Sequence, residues 1–276
     1  MASLADVRDV RGVLVDIKRG VLVDIDGVLT VSWRALPGAV EALRVLRDSG
    51  FGVVLVTNTT SRTRASVAAA LAEAGFTVDA DDILTAPAAT AAHLAGARCA
   101  LLNSGDIEED LAGITLVSGG DGDDEDTPDV VLVGGAGPEF SYAAVNRAFS
   151  HLRRGARLVA LHRNLTWRTD AGLQLDAGAY IAGLEAAAGT EAEVTGKPSA
   201  AFFRAALDRL GVAAAEAVMV GDDVESDVLG AQRLGITGVL VRTGKFQPDT
   251  LDRASGTPDH VVDSFADVPA LLGPAW

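Results

Sequence analysis

Along the chain, short β-branched apolar runs alternate with Ala- and Leu-rich segments whose apolar positions recur three and four residues apart. In the N-terminal part, Val21–Ile25 predicts a strand and Pro37–Ser49 a helix, with proline near its first turn and Gly50 as its stop. Gly52–Val56 predicts the next strand. Ser61 predicts the N-cap of a helix running to about Ala74 and ended by Gly75. The rhythm resumes near the C-terminus, with a helix over Ser199–Leu210, a strand over Ala217–Val220, a helix over Ser226–Leu234 and a strand over Gly238–Val241. Apolar strands separated by helices predict a parallel α/β sheet buried on both faces.

The middle of the chain, residues 88–186, has its own alternation. Strands are predicted at Arg98–Leu102, Ile114–Val117, Asp129–Val133 and Arg157–Ala160, and helices at Pro87–Leu94, Ser141–Arg154 and Asp176–Ala187. That is enough for a second α/β unit inserted into the first. Asp121–Pro128 is acidic and contains Gly and Pro; it predicts a solvated loop, since neighbouring carboxylates without fixed geometry bind cations weakly. Arg11–Lys18 (RGVLVDIK) and Arg19–Asp26 (RGVLVDID) match at seven of eight positions. The repeat goes no further, which excludes a solenoid.

The 276 residues suit one large domain or two modest ones, and 49% apolar with 22% charged residues is ordinary for a globular enzyme. The formal net charge of −15 opposes binding to nucleic acid or anionic membranes. It also means that a phosphate site must be made locally positive by a metal, a lysine or helix N-termini. A single cysteine, Cys99, forms no disulfide within the chain and fits a reducing compartment; no apolar signal core opens the chain, and no run approaches about 18 apolar residues. A cytoplasmic location is expected.

Four segments carry candidate chemistry. In Val21–Val28 an apolar strand runs into Asp24, Asp26 and Gly27. Alternate residues on a strand share a face, which aims both carboxylates at the C-terminal end of the sheet, where open α/β folds bind ligands. Carboxylates so close repel unless a cation or a shared proton relieves them, and both remedies suit phosphoryl transfer. An Asp-Gly turn is the alternative reading. The second segment, Val53–Asn58, ends in Thr57 and Asn58, groups that hold phosphate oxygens or else cap the next helix. The third, Gly196-Lys197-Pro198, fails the P-loop pattern because Glu191 and Pro198 stand at required positions, but Lys197 can neutralise a phosphoryl group. The fourth, Val218–Asp223 with Asp227, again brings carboxylates to a strand end; oxygen ligands suit Mg²⁺ rather than zinc. Gly134–Gly137 lacks dinucleotide-binding spacing, His93, His151, His162 and His260 lack metal-ligand spacing, and Cys99 has no nearby histidine.

Order, spacing and strand-end placement together resemble the haloacid dehalogenase-like phosphohydrolases, from about residue 19 to residue 272. The four motifs of that family are similar to Asp24-Ile25-Asp26-Gly27, Thr57-Asn58, Lys197, and Gly221-Asp222-Asp223 with Asp227. Thr57 and Lys197 are 140 residues apart, against 33 between Asp24 and Thr57. This resembles members whose large α/β cap lies between the second and third motifs. The resemblance implies a Rossmann-like core over 1–87 (with 1–18 an N-terminal extension) and 187–276, with the cap at 88–186.

The resemblance also implies the roles. Asp24 is the nucleophile and Asp26 the general acid–base. Thr57, Asn58 and Lys197 bind the phosphoryl group. Mg²⁺ is held by Asp24, Asp222 and the main-chain carbonyl of Asp26, with Asp223 or Asp227 completing its surroundings. The cap segment Leu161–Gly172, with Arg163, Asn164, Trp167 and Arg168, contacts a small phosphorylated metabolite, although Trp167 stands where relatives usually show tyrosine. A homodimer through the cap is expected. A phosphotransferase or mutase and a non-catalytic binding protein are the rival readings.

Overall fold

The computed structural model describes residues 20–117, 127–169 and 172–273. The first repeat copy, Arg11–Lys18, and most of the acidic run Asp121–Pro128 lie outside them. The chain divides into two compact units. The first comprises residues 1–57, 68–84 and 203–276, the second residues 58–67 and 85–202.

The first unit is built on a six-stranded sheet in the order 260–262, 237–241, 217–221, 20–24, 52–57, 83–85. Gly20–Asp24 lies at its centre, paired in parallel with Gly52–Thr57 on one side and Ala217–Gly221 on the other. Val21, Leu22 and Val23 are fully buried, as a strand covered on both faces requires. The helix Ala39–Asp48 buries Ala39, Ala42, Leu43 and Leu46, one stripe at helical spacing. The second predicted helix begins later than expected, at Arg64, and Thr63 rather than Ser61 caps it: Thr63 Oγ1 accepts from the Ser66 N–H at 3.3 Å. Ser226–Leu234 is not one regular helix. A widened, π-type helix over Val224–Leu229 passes into a short α-helix at Gly230–Gln232.

The second unit contains a five-stranded sheet in the order 193–194, 157–160, 130–133, 98–102, 115–116. Its two faces follow strand alternation. Val131, Val133, Leu158 and Ala160 pack on one face with the helices Tyr142–Arg153 and Ala177–Ala188; Val130, Leu132, Val159 and Cys99 pack on the other with Ala86, Ala91 and Leu94. A hairpin, Thr166–Thr169 with Gly172–Leu175, belongs to the same unit. The chain is therefore α/β with a parallel core sheet, as the alternation predicts. No helix among the described residues is long and apolar enough to cross a membrane.

Candidate active site

Parallel strands have their C-terminal ends on one edge, and register decides what meets there. Asp24 is level with Val56 and Val23 with Val220, so Thr57 and Asp222 each stand within about two positions of Asp24 at that edge. Asp24, Thr57 and Asp222 are buried, with exposures of 6%, 3% and 2%. Asp227, on the widened helix, joins them. Oxygens of Asp24, Asp222 and Asp227 all lie within 4.8 Å of one another. Three buried carboxylates at that separation repel strongly unless a cation lies between them. The donor set is oxygen only, which fits a hard divalent ion.

Asp26 lies just past the strand and is exposed. Its loop is closed by hydrogen bonds from the N–H groups of Leu29 and Thr30 to the Ile25 carbonyl and from Gly27 N–H to the Thr30 carbonyl. The chain then turns through the hairpin Thr30–Val31 and Arg34–Ala35.

Asp223 does something different from Asp227. One oxygen caps the widened helix by accepting from the N–H groups of Glu225 and Ser226, and the other accepts from Lys245 Nζ at 3.0 Å. Burial alone would raise its carboxyl, but the Lys245 ammonium and the Ser226 N–H outweigh that and hold it below the usual range. Partial desolvation would lower Lys245; Asp223, Asp227 and Asp222 outweigh that and raise it.

The loop after Val241 has a part in the site that the sequence did not announce. Lys245 N–H donates to Asp222 Oδ2 at 2.7 Å, and Thr243 Oγ1 donates to the Gly27 carbonyl at 2.5 Å. Gly27 (φ +86) and Gly244 (φ +60) close on the same carboxylate: a Cβ on either would lie 2.0 Å from Asp222 Oδ2. Thr243-Gly244-Lys245 takes on this meaning only with Gly27 opposite it, 217 positions away in the chain.

Asn58 and Lys197 belong to the second unit. There the Asn58 side chain grips the Lys197 main chain on both sides. Asn58 Oδ1 accepts from Lys197 N–H at 2.8 Å, and Asn58 Nδ2 donates to the Lys197 carbonyl at 2.9 Å. Lys197 is 5% exposed. Arg163 makes a two-pronged ion pair with Glu185 at 2.8 and 2.7 Å. Asn164 is exposed and its carbonyl accepts from Gly178 N–H. Trp167 and Arg168 lie on the first strand of the hairpin, opposite Gln174 and Leu173; their side chains lie outside the described residues. The backbone N–H groups of Gly135 and Ala136 are taken up by Thr60 Oγ1 and Asp176 Oδ1.

Comparison with known proteins gives the family. A family model described as haloacid dehalogenase-like hydrolase matches residues 21–116, and one described as HAD-hydrolase-like matches residues 194–268. Human phospholysine phosphohistidine inorganic pyrophosphate phosphatase is 38% identical over 265 residues, covering 92% of this chain and 94% of the relative. The p-nitrophenyl phosphatase of Archaeoglobus fulgidus superposes with a TM-score of 0.84 at 30% identity, over 91% of this chain and 98% of that one. Glycerol phosphate phosphatase from Mycobacterium tuberculosis, solved in complex with magnesium, superposes with a TM-score of 0.80 at 28% identity, over 91% and 76%. The chain belongs to the haloacid dehalogenase-like hydrolase family. Within it, the chain is an enzyme of the phosphatase class.

Proposed function

We propose that the chain is a Mg²⁺-dependent phosphatase that cleaves a small phosphorylated metabolite through a phosphorylated Asp24. The observation that carries this is the convergence of three buried carboxylates at the C-terminal end of the central strands. Asp24, Asp222 and Asp227, with the main-chain carbonyl of Asp26, would hold the ion; Asp223, bound to Lys245, supports the same loop. When bound, Mg²⁺ offsets the charge shared by the carboxylates and the phosphoryl group.

The residues' own part is acid–base and positional. The Asp24 carboxylate attacks phosphorus, and the bond to the leaving oxygen breaks as Asp26 donates a proton to that oxygen. Asp26 then takes a proton from water as the water attacks phosphorus, which frees phosphate and restores Asp24. Thr57 and Asn58 bind phosphoryl oxygens, and Lys197, held by Asn58, offsets their charge.

Residues 88–186 serve as the cap between core segments 1–87 and 187–276; the compact unit that contains them runs further, over 58–67 and 85–202, because Glu193–Val194 pairs with Arg157–Ala160. Asn164, Trp167 and Arg168 contact the leaving group, while Arg163 fastens their segment to the helix Ala177–Ala188 through Glu185. A homodimer and a cytoplasmic location belong to the same reading. The test is hydrolysis of a chromogenic aryl phosphate with Mg²⁺ by the wild type and by Asp24→Asn. The wild type should turn over and the variant should not, with its circular dichroism unchanged. Normal turnover by the variant would place the nucleophile elsewhere, and preferred transfer to an added alcohol would make the protein a phosphotransferase.

A further inference from the structure

Lys245 holds two consecutive acidic residues by different parts of itself. Its backbone N–H binds Asp222 Oδ2 at 2.7 Å, and its ammonium binds Asp223 Oδ2 at 3.0 Å. Its main chain is fixed independently of the side chain. Gly244 and Gly27 meet so closely that a Cβ on Gly244 would lie 2.6 Å from the Gly27 Cα, and Thr243 is tied to the Gly27 carbonyl. Asp223 in turn reaches the carboxylate cluster, because its N–H donates to Asp227 Oδ2 at 3.3 Å. The Lys245 side chain is 64% exposed, so its contribution is a field effect open to screening rather than a buried contact.

We propose that Lys245 sets the affinity of the acidic centre for its divalent cation, its ammonium, paired with Asp223, serving as a resident counter-charge to the Asp24, Asp222 and Asp227 cluster. The backbone grip on Asp222 is common to every residue except proline at position 245. The ammonium is the part that a substitution removes. Taking it away leaves Asp223 uncompensated and makes the centre more negative, so an incoming cation is attracted more strongly. Lys245 is thus an affinity-setting residue, distinct from the ligands.

The inference rests on the reading that the three carboxylates hold a divalent cation. Calorimetric titration of the metal-free full chain with MgCl₂ separates the two. Lys245→Met should bind Mg²⁺ several-fold more tightly than wild type at low ionic strength. The difference should shrink in about 0.5 M salt, where charges more than a few ångströms apart are screened. Lys245→Arg should match the wild type, and Asp223→Asn should bind more weakly. The double variant should return towards the wild-type affinity, since it removes one charge of each sign. Unchanged or weaker binding by Lys245→Met, or a difference that salt leaves untouched, would overturn the role of Lys245. A wild-type chain that takes up no Mg²⁺ would instead overturn the cation reading beneath it.

Discussion

At the scale of single residues, the site depends on atoms that leave no room for a side chain. Gly244 combines a left-handed backbone with a contact in which an added Cβ would lie 2.0 Å from Asp222 Oδ2 and 2.6 Å from the Gly27 Cα. The obstruction on the Gly27 side is backbone and cannot rotate away, so Gly244→Ala must displace Asp222 or the loop. Displacements of about 1 Å at a reacting centre cost roughly 10²-fold in rate. Gly244→Ala is therefore expected to lose about that much turnover on a chromogenic phosphate and to bind Mg²⁺ more weakly, while its far-ultraviolet spectrum stays that of the wild type. Full activity would show that the loop has room to spare. The carboxylates themselves were legible in the sequence, because an apolar run ending in Asp marks the end of a strand and strand ends are where α/β sheets place ligands. Gly244 was not legible as part of the site, because its partner Gly27 is more than two hundred positions away and only the folded sheet brings them together.

Elements obey the same division between what is local and what is not. The helix Tyr142–Arg153 was readable from its period and from Ser141, whose Oγ accepts from the Ala144 N–H. The hairpin at Thr30–Ala35 was not, because its turn places Ser32 and Trp33 at φ 50 and 61, where glycine or asparagine is the usual signal. The edge strands Ile83–Thr85 and His260–Val262 are three residues each, too short to show a period. Within the helix Tyr142–Arg153 lies His151, which is 4% exposed. Burial first, then the charges of Arg154 and Arg147, push its pKa below the usual 6.5. In the unfolded chain the same imidazole takes up a proton near pH 6.5, whereas the folded chain resists until lower pH. Below that pH the unfolded state holds more protons, so stability falls as pH drops and goes on falling until the folded pKa is reached. Thermal unfolding of wild type and His151→Leu at pH 7.5 and 5.5 should show a larger loss of melting temperature in the wild type. Equal losses would mean that His151 titrates as it does in water.

Across the whole molecule, two copies of one strand sequence compete for one position. Gly20–Asp24 fills the slot between Gly52–Thr57 and Ala217–Gly221, hydrogen-bonded on both sides, and every side chain in it is buried. The first copy, ending at Lys18, lies outside the described residues and carries the same apolar alternation. It is displaced by eight positions, an even number, so either copy would present the same faces to the same neighbours. Packing of the strand alone does not choose between them; the residues just past its C-terminal end do. After Asp24 come Asp26 and Gly27, and Gly27 takes up the left-handed conformation needed to lie against Asp222 and Gly244. After Asp16 come Lys18 and Arg19, which would put cations where the loop needs an acid and a residue without a Cβ. Deletion of residues 1–18 is therefore expected to leave turnover and melting temperature close to those of the full chain, and Asp16→Asn to be nearly silent where Asp24→Asn is inactive. Adding Mg²⁺ at about 100 times its dissociation constant should stabilise the full chain and the shortened chain alike, by roughly 2.7 kcal/mol, since the ion binds the folded state alone. If the shortened chain lost the Mg²⁺-dependent rise in melting temperature, or if Asp16→Asn abolished turnover while Asp24→Asn did not, the first copy would be the one that builds the site.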